Sequence, residues 1–318
     1  MSPLPFLRLP ILVQREILRK CNELEIIIFS FCSRKTWQVA RSVNMKLYVV
    51  DVAYGENRMT FDVDGFPIVV LDADARKSLD INDSDSEPQA ETVESIGFGG
   101  ISIHIEFDST IFVPWQQSFI GTCNRVIDYV MDLFGQEKPF AEVGTNVGNL
   151  MNIPFDKWLL GRVMVCQDEN EGPLNQQQLT LVMEELEIIY QGQLELSAKG
   201  VNGYSTGLWH NKITIYHGDW LHLDAVMNSD STYITIYDMG APRGDQLKTL
   251  VMDWIYMQRM QKLENLELQF NAPIPVHEVM NGVPAAHQYG TTFHIPRRDG
   301  TEGRLSIQGN NLFLELRT

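Results

Sequence analysis

From Leu9 to Phe31 the apolar positions recur three or four residues apart: Leu9, Leu12, Val13, Ile17, Leu18 and Cys21, then Leu24, Ile27, Ile28 and Phe31. That spacing predicts two short helices, and Ser33 is placed to cap a third that runs through Trp37 to Val43. Pro10 suits a helix start, where its missing N–H has no intrahelical partner to lose. Ile26, Ile27, Ile28, Phe29 and Phe31 are apolar on nearly every side of their helix. A stretch of about 40 residues cannot bury so much by itself, so the surplus predicts a face covered by another chain. The alternative is that the rest of this protein covers it.

From Lys46 the pattern changes to alternation, in 47–52, 59–63 and 66–70, with Gly55 and the pair 64–65 as turns, which predicts strands joined as hairpins. A polar, acidic stretch over 72–95 reads as a surface loop before alternation resumes over 100–107. Within it Ser84 and Ser86 stand among Asp83, Asp85 and Glu87, surroundings that acid-directed kinases favour. After Thr122, helix-spaced segments lead repeatedly into short strands: 125–134 into 140–143, 176–190 into 194–196, and 245–257 into 263–268. The strands 212–216 and 232–237 are linked through 220–226. Such βα units bury their apolar side only against their neighbours, so the pattern predicts a leucine-rich-repeat-like arc, closed by strands over 292–295, 303–307 and 311–316. The fold class is therefore α+β: a small three-helix region over 1–45, then a β-rich region over 46–318. The latter divides into hairpins (46–120) and irregular βα repeats with terminal strands (121–318).

Charge sharpens this division. Residues 1–45 hold 7 Lys/Arg and 3 Asp/Glu, which leaves 18 and 38 for the remainder. So acidic a remainder repels phosphate backbones and membrane surfaces and favours basic protein partners, arguing against nucleic-acid or membrane binding. No apolar run approaches the roughly 20 residues that span a bilayer, and the first residues lack the basic start and long apolar stretch of a secretory signal. A cytosolic or nuclear location is expected. The 4 cysteines (Cys21, Cys32, Cys123, Cys166) form no CxxC pair and lack neighbouring histidine ligands, which suggests neither zinc nor disulfides.

The opening residues 5–10 (Pro-Phe-Leu-Arg-Leu-Pro), with Val13, Glu16-Ile17-Leu18, Glu25-Ile26-Ile27 and the run 29–35, resemble the F-box as nematode proteins write it. The resemblance implies that Leu9, Pro10, Ile17, Leu18, Phe29, Phe31 and Cys32 lie against a Skp-type adaptor, and through it a cullin. The later part is similar to the type 2 F-box-associated domain of nematode F-box proteins. That likeness rests on Gln246-Leu247-Lys248, Asp253-Trp254-Ile255, the segment 262–268 and the turn Arg297-Arg298-Asp299-Gly300. One departure is that 250–254 reads Leu-Val-Met-Asp-Trp where the family often has Phe-Leu-Lys-His-Trp. Together these resemblances imply a receptor that recruits a protein substrate to a ubiquitin ligase, with transfer chemistry left to other subunits and no cofactor of its own. The alternative is an adaptor-independent module that sequesters a partner.

Chemical clusters argue weakly for catalysis. His217 and His222 lie near Asp219 and Asp224, but not with the spacing of a helical metal motif. The glycines at 97, 99 and 100 lead into a strand, not a helix, and no Lys-Ser/Thr pair follows. Asp80, Asn82, Ser84 and Glu91 lack the glycine and flanking helices of a calcium loop. For substrate, the strand side of a βα arc is the exposed one. Tyr216, Trp220, Tyr233 and Tyr237 are its candidate contacts, although alternation alone leaves open which phase faces outward. Asp219, Asp224, Asp230, Asp238 and Asp245 are expected to form an acidic rim that attracts a basic partner.

Overall fold

The computed structural model describes residues 6–48, 50–55, 58–63, 65–72, 96–98, 101–105, 111–115, 118–136, 138–284 and 287–317. The fold is α+β, three N-terminal helices followed by a large mixed-sheet region. The chain forms two compact units, one of Met1–Gly144 with Asn152–Leu159 and the other of Thr145–Met151 with Leu160–Thr318. The expected divide at 45/46 falls inside the first unit.

In the first unit a 3₁₀ turn (Phe6–Arg8) leads into α1 (Ile11–Leu18), α2 (Glu23–Phe31) and α3 (Arg34–Arg41). Reciprocal capping boxes start two of them: Asn22 with Glu25 for α2, and Ser33 with Thr36 for α3. Each satisfies two backbone N–H groups that a helix start leaves without partners. Leu18, Val39 and Val43 form the centre of the bundle, with Phe6, Leu7, Cys21, Phe29 and Met45 packed around it. The strands that follow are β1 (Val50–Tyr54), β2 (Arg58–Val63), β3 (Phe66–Asp72), β4 (Ile96–Phe98), β5 (Ile101–Ile105) and β6 (Ile111–Trp115). Helix α4 (Phe119–Phe134) and β7 (Phe140–Asn146) complete the unit. The sheet order is β7-β1-β2-β3-β6-β5-β4. Val50, Val52 and Tyr54 of β1 and Met59, Phe61 and Val63 of β2 are buried, as alternation requires. Ser118 caps α4 at its start, and Gly135 ends it in the left-handed conformation (φ 66°), where a Cβ would be strained. Residues 73–95 of the acidic stretch, including Ser84 and Ser86, lie outside the described residues, as does the calcium-loop candidate.

The second unit contains β8 (Leu159–Cys166), α5 (Gln176–Thr180) prolonged by a π-turn (Leu181–Glu185), β9 (Ile188–Ser197) and β10 (Lys212–Ile215). It continues with α6 (Leu223–Met227), β11 (Tyr233–Met239), α7 (Gly244–Ile255), β12 (Asn265–Phe270) and α8 (Val276–Met280). The short β13 (His287–Tyr289), β14 (Thr292–Pro296), β15 (Glu302–Gln308) and β16 (Asn311–Arg317) close it. Strands β8 to β12 pair in parallel in chain order, and β16, β15, β14 and β13 extend the sheet antiparallel from β12. The register puts Val163, Leu194, Ile213, Ile234, Leu266, Leu314, Leu305 and Phe293 in one row across eight strands, all buried. Each such side chain contributes about 1.5–3 kcal/mol of transfer free energy, so the row is a spine shared by neighbours, as in a βα arc. Two expectations differ. Residues 188–190, expected as helix, begin β9, because the π-turn releases the chain at Leu186. Strand β8 went unanticipated: Leu159 and Leu160 are adjacent apolar residues and Gly161 follows them, so alternation shows only from Arg162 onward.

Candidate functional site

Helix α1 of the first unit packs in an inverted sense. Its buried side carries Gln14 and Leu18, one turn apart, and the Gln14 amide donates to the Leu9 carbonyl at 2.6 Å. Its outer side carries Ile11 (48% exposed), Leu12 (68%), Val13 (42%) and Ile17 (41%). An eight-residue helix normally hides such side chains and exposes its glutamine. The Arg15 guanidinium donates to Ser42 Oγ at 3.0 Å, which fixes the helix on α3 with this row facing solvent.

The seven adaptor candidates fall into two groups. Pro10, Ile17 and Cys32 are exposed, and Leu9 and Phe29 are half-buried, Phe29 edge-on to Phe6 with ring centroids 5.1 Å apart. Leu18 and Phe31 are buried inside the unit and present no face. Phe31 stacks on Tyr129 of α4 at 4.5 Å and 11°, and Ser30 shares a hydrogen bond of 2.7 Å with the Tyr129 hydroxyl. Burial pushes that phenol up to about 12. The surplus on α2 expected to meet another chain is thus largely covered within the first unit, since Ile26 and Ile27 are buried as well. Ile11, Leu12 and Val13 were missing from the candidates. No local signal marks them, because a glutamine inside an apolar run ordinarily faces outward, and here Gln14 is the buried residue.

In the second unit, the side of the sheet opposite the apolar spine is open. Its register aligns Arg162, Gln193, Lys212, Tyr233, Asn265, Glu315, Arg304 and His294 in one row. The next row holds Met164, Glu195, Thr214, Thr235, Glu267, Phe313, Ser306 and Thr292. Tyr216 and Tyr237 follow, stacked with centroids 5.8 Å apart. The Lys212 ammonium lies 5.3 Å from the centre of the Tyr233 ring, and the Tyr233 hydroxyl donates to Glu264 at 2.8 Å. Burial, then Glu267 and Tyr216, holds the Tyr237 phenol above its ordinary value. An open depression of about 370 Å³ lies on this face, lined by Asn265, Arg304, Ser306, Gln308, Phe313 and Glu315 among others.

Tyr216, Tyr233 and Tyr237 therefore share the open face. Trp220 does not: it is 2% exposed, packed against Gly200 and edge-on to Tyr204 at 6.2 Å. It follows the end of β10 by five residues, so the strand's alternation no longer governs where it points. Of the five aspartates proposed for an acidic rim, three have a Lys or Arg neighbour and two have a histidine, which carries charge only when protonated. Asp219 faces Lys199 (3.8 Å), Asp224 His222 (2.9 Å), Asp230 Lys262 (2.5 Å), Asp238 His217 (3.4 Å) and Asp245 Arg243 (3.1 Å). Exposed pairs like these contribute little stability but shorten the reach of the field. His217 and His222 thus each meet an aspartate of their own, and His222 caps α6 by accepting the Asp224 N–H. Among the described residues no three His, Cys, Asp or Glu side chains are grouped to hold a metal ion, and no helix is long and apolar enough to cross a membrane.

Residues 6–48 match the family of the F-box domain, so the class of module that displays the α1 face is defined: an adaptor-docking domain, not a catalytic one. The chain carries an F-box, and F-boxes bind Skp-type adaptors. No curated protein and no solved structure matches the chain.

Proposed function

We propose that this protein is the substrate-recognition subunit of a Skp–cullin–F-box ubiquitin ligase, acting in the cytosol or nucleus. In this reading its second part is a type 2 F-box-associated domain of the nematode kind. The observation that carries the reading is the outward row of Ile11, Leu12, Val13 and Ile17 beside Pro10 in a segment that matches the F-box family. An exposed apolar stripe on so small a bundle is costly in water and is stabilised when a partner covers it. The open sheet of the second unit supplies a separate face for the protein to be ubiquitinated, and its paired charges and tyrosines suit a protein surface better than a phosphate backbone. The direct test is co-expression with a Skp-type adaptor followed by purification on a tag carried by this chain alone. A stoichiometric complex is expected. Recovery of the tagged chain without adaptor at micromolar concentrations contradicts the reading.

A second reading has its own supporting observation. An adaptor-independent interaction module, with the helices serving as part of a scaffold, would need Ile27, Phe29 and Phe31 buried within the protein; Ile27 and Phe31 are buried and Phe29 is half-buried. The same purification separates the two, because that module requires no adaptor.

A further inference from the structure

We infer that Glu267 is the seat for a lysine or arginine side chain of the protein that docks on the open sheet. Glu267 stands half-buried in the middle of the second row, with Thr235 beside it on β11 and Phe313 beside it on β16. Directly opposed residues on neighbouring strands have Cβ atoms about 4.5–5.5 Å apart, so the phenyl ring of Phe313 and the carboxylate are neighbours. Tyr237 lies one step along β11 on the same side, close enough for the carboxylate's charge to raise its phenol, and Tyr216 stacks on Tyr237.

The other carboxylates of this face are satisfied. Glu195 takes Arg162 at 2.7 Å, Glu302 takes His294 at 2.7 Å, and Glu315 stands 3.8 Å from Arg304. Among the described residues, Glu267 has neither an ion-pair partner nor a hydrogen-bond donor. In the free protein it keeps part of its hydration. A partner laid across the sheet removes that water, and an uncompensated carboxylate at the centre of an interface is strongly unfavourable. A partner that covers this face is best matched to it by bringing a cation to that point. The aromatic groups around it favour the same class of ligand, because ring faces attract ammonium and guanidinium groups. The sheet already holds one cation in this way, Lys212 over Tyr233. The depression beside Phe313 gives room for the aliphatic stem of a long basic side chain.

The inference rests on the receptor reading only for where the basic segment comes from. Its test uses the full chain, co-expressed with a Skp-type adaptor and recovered on its own tag whether or not the adaptor accompanies it, and probed with degenerate peptide libraries of about nine residues, long enough in extended form to cross several strands. The central residue of each library is fixed as Arg, Lys, Leu or Glu. The Arg and Lys libraries are expected to be retained at least about fivefold over the Glu library, the scale of one partly desolvated ion pair. Glu267→Gln, nearly isosteric, removes the difference, and Glu267→Lys reverses it in favour of the Glu library. Melting curves of both variants report that the fold is kept. Equal retention of all four libraries by the wild-type chain overturns the inference and leaves the receptor reading intact, as does a preference that survives in Glu267→Gln. Failure to bind the adaptor alongside a clear basic preference does the opposite.

Discussion

The guanidinium of Arg297 lies over the indole of Trp254, its central carbon 4.8 Å from the ring centre. The Arg297 side chain is 1% exposed, and its Nε and Nη2 have no hydrogen-bond acceptor among the described residues, although Asp299 stands 3.6 Å from Nη1. Burial holds the guanidinium below its ordinary value, opposed by Asp299. The ring face therefore takes the place that acceptors would otherwise fill, and the charge and the indole should be energetically coupled. In a double-mutant cycle with Arg297→Met and Trp254→Leu, denaturant titrations should show a coupling of about 1–2 kcal/mol. Arg297→Met should cost less than Arg297→Ala, because the methionine keeps the packing against the ring. Additive single effects would show that the stacking is incidental.

Gly303 lies on the same indole. A Cβ there would sit 2.4 Å from Cη2 and 2.6 Å from Cζ3 of Trp254, which is fully buried and anchored by its N–H to the Leu263 carbonyl at 3.1 Å. The ring cannot step aside, so Gly303→Ala should cost about 1–3 kcal/mol through overpacking. Gly172, with open space around it, is the control, and Gly172→Ala should stay within about 0.5 kcal/mol of the wild type by chemical denaturation.

Helices α1 and α2 divide binding from stability. Leu12→Asp and Ile17→Asp change exposed positions, so each should alter stability by less than about 0.5 kcal/mol. As central anchors of a docking face they should weaken adaptor capture by about 2 kcal/mol or more. Phe31→Ala should do the reverse: it opens a cavity against Tyr129 and costs about 3–5 kcal/mol of stability. Paired pull-down and melting measurements distinguish these outcomes. Equal loss of capture in all three variants without loss of stability would return Phe31 to the binding face.

The sequence revealed the helices and the spine most readily, because both follow strict periods. Leu194, Ile213, Ile234 and Leu266 stand where alternation puts them, and Asn22 and Ser33 start helices by pairing with residues three further on. The choice of outward face was harder. In α1 an apolar run surrounds Gln14, so periodicity marks a stripe without saying whether the protein or its partner covers it. The burial of Phe31 depends on Tyr129, ninety-eight residues later, a pairing that no local pattern contains. Strand β8 was masked by Gly161 and two adjacent leucines. Glu267 looked like any solvated charge in an alternating strand. Its position in the middle of the face, across from Phe313 and without a cation, emerges only once β16 pairs with β12.

His210 supplies a pH test of the second unit. It is buried, and its Nε2 donates to the Val182 carbonyl in the π-turn at 2.6 Å, which fixes the proton on that nitrogen. Burial lowers its pKa from the ordinary 6.5, and the hydrogen bond opposes this only in part. The folded protein therefore holds a neutral imidazole under conditions where the unfolded chain binds a proton. The stability is fully present above 6.5 and is lost as pH falls from there towards the lowered folded-state value. Within that window the unfolded state binds more of this proton than the folded state, so stability rises with pH. His210→Gln keeps a donor for the carbonyl without a titrating group, so its stability between about pH 7.5 and pH 5.5 should decline less than that of the wild type. Denaturant midpoints measured across that range give the comparison. Parallel curves for the two proteins would mean that His210 takes up its proton in the folded state as readily as in the unfolded one.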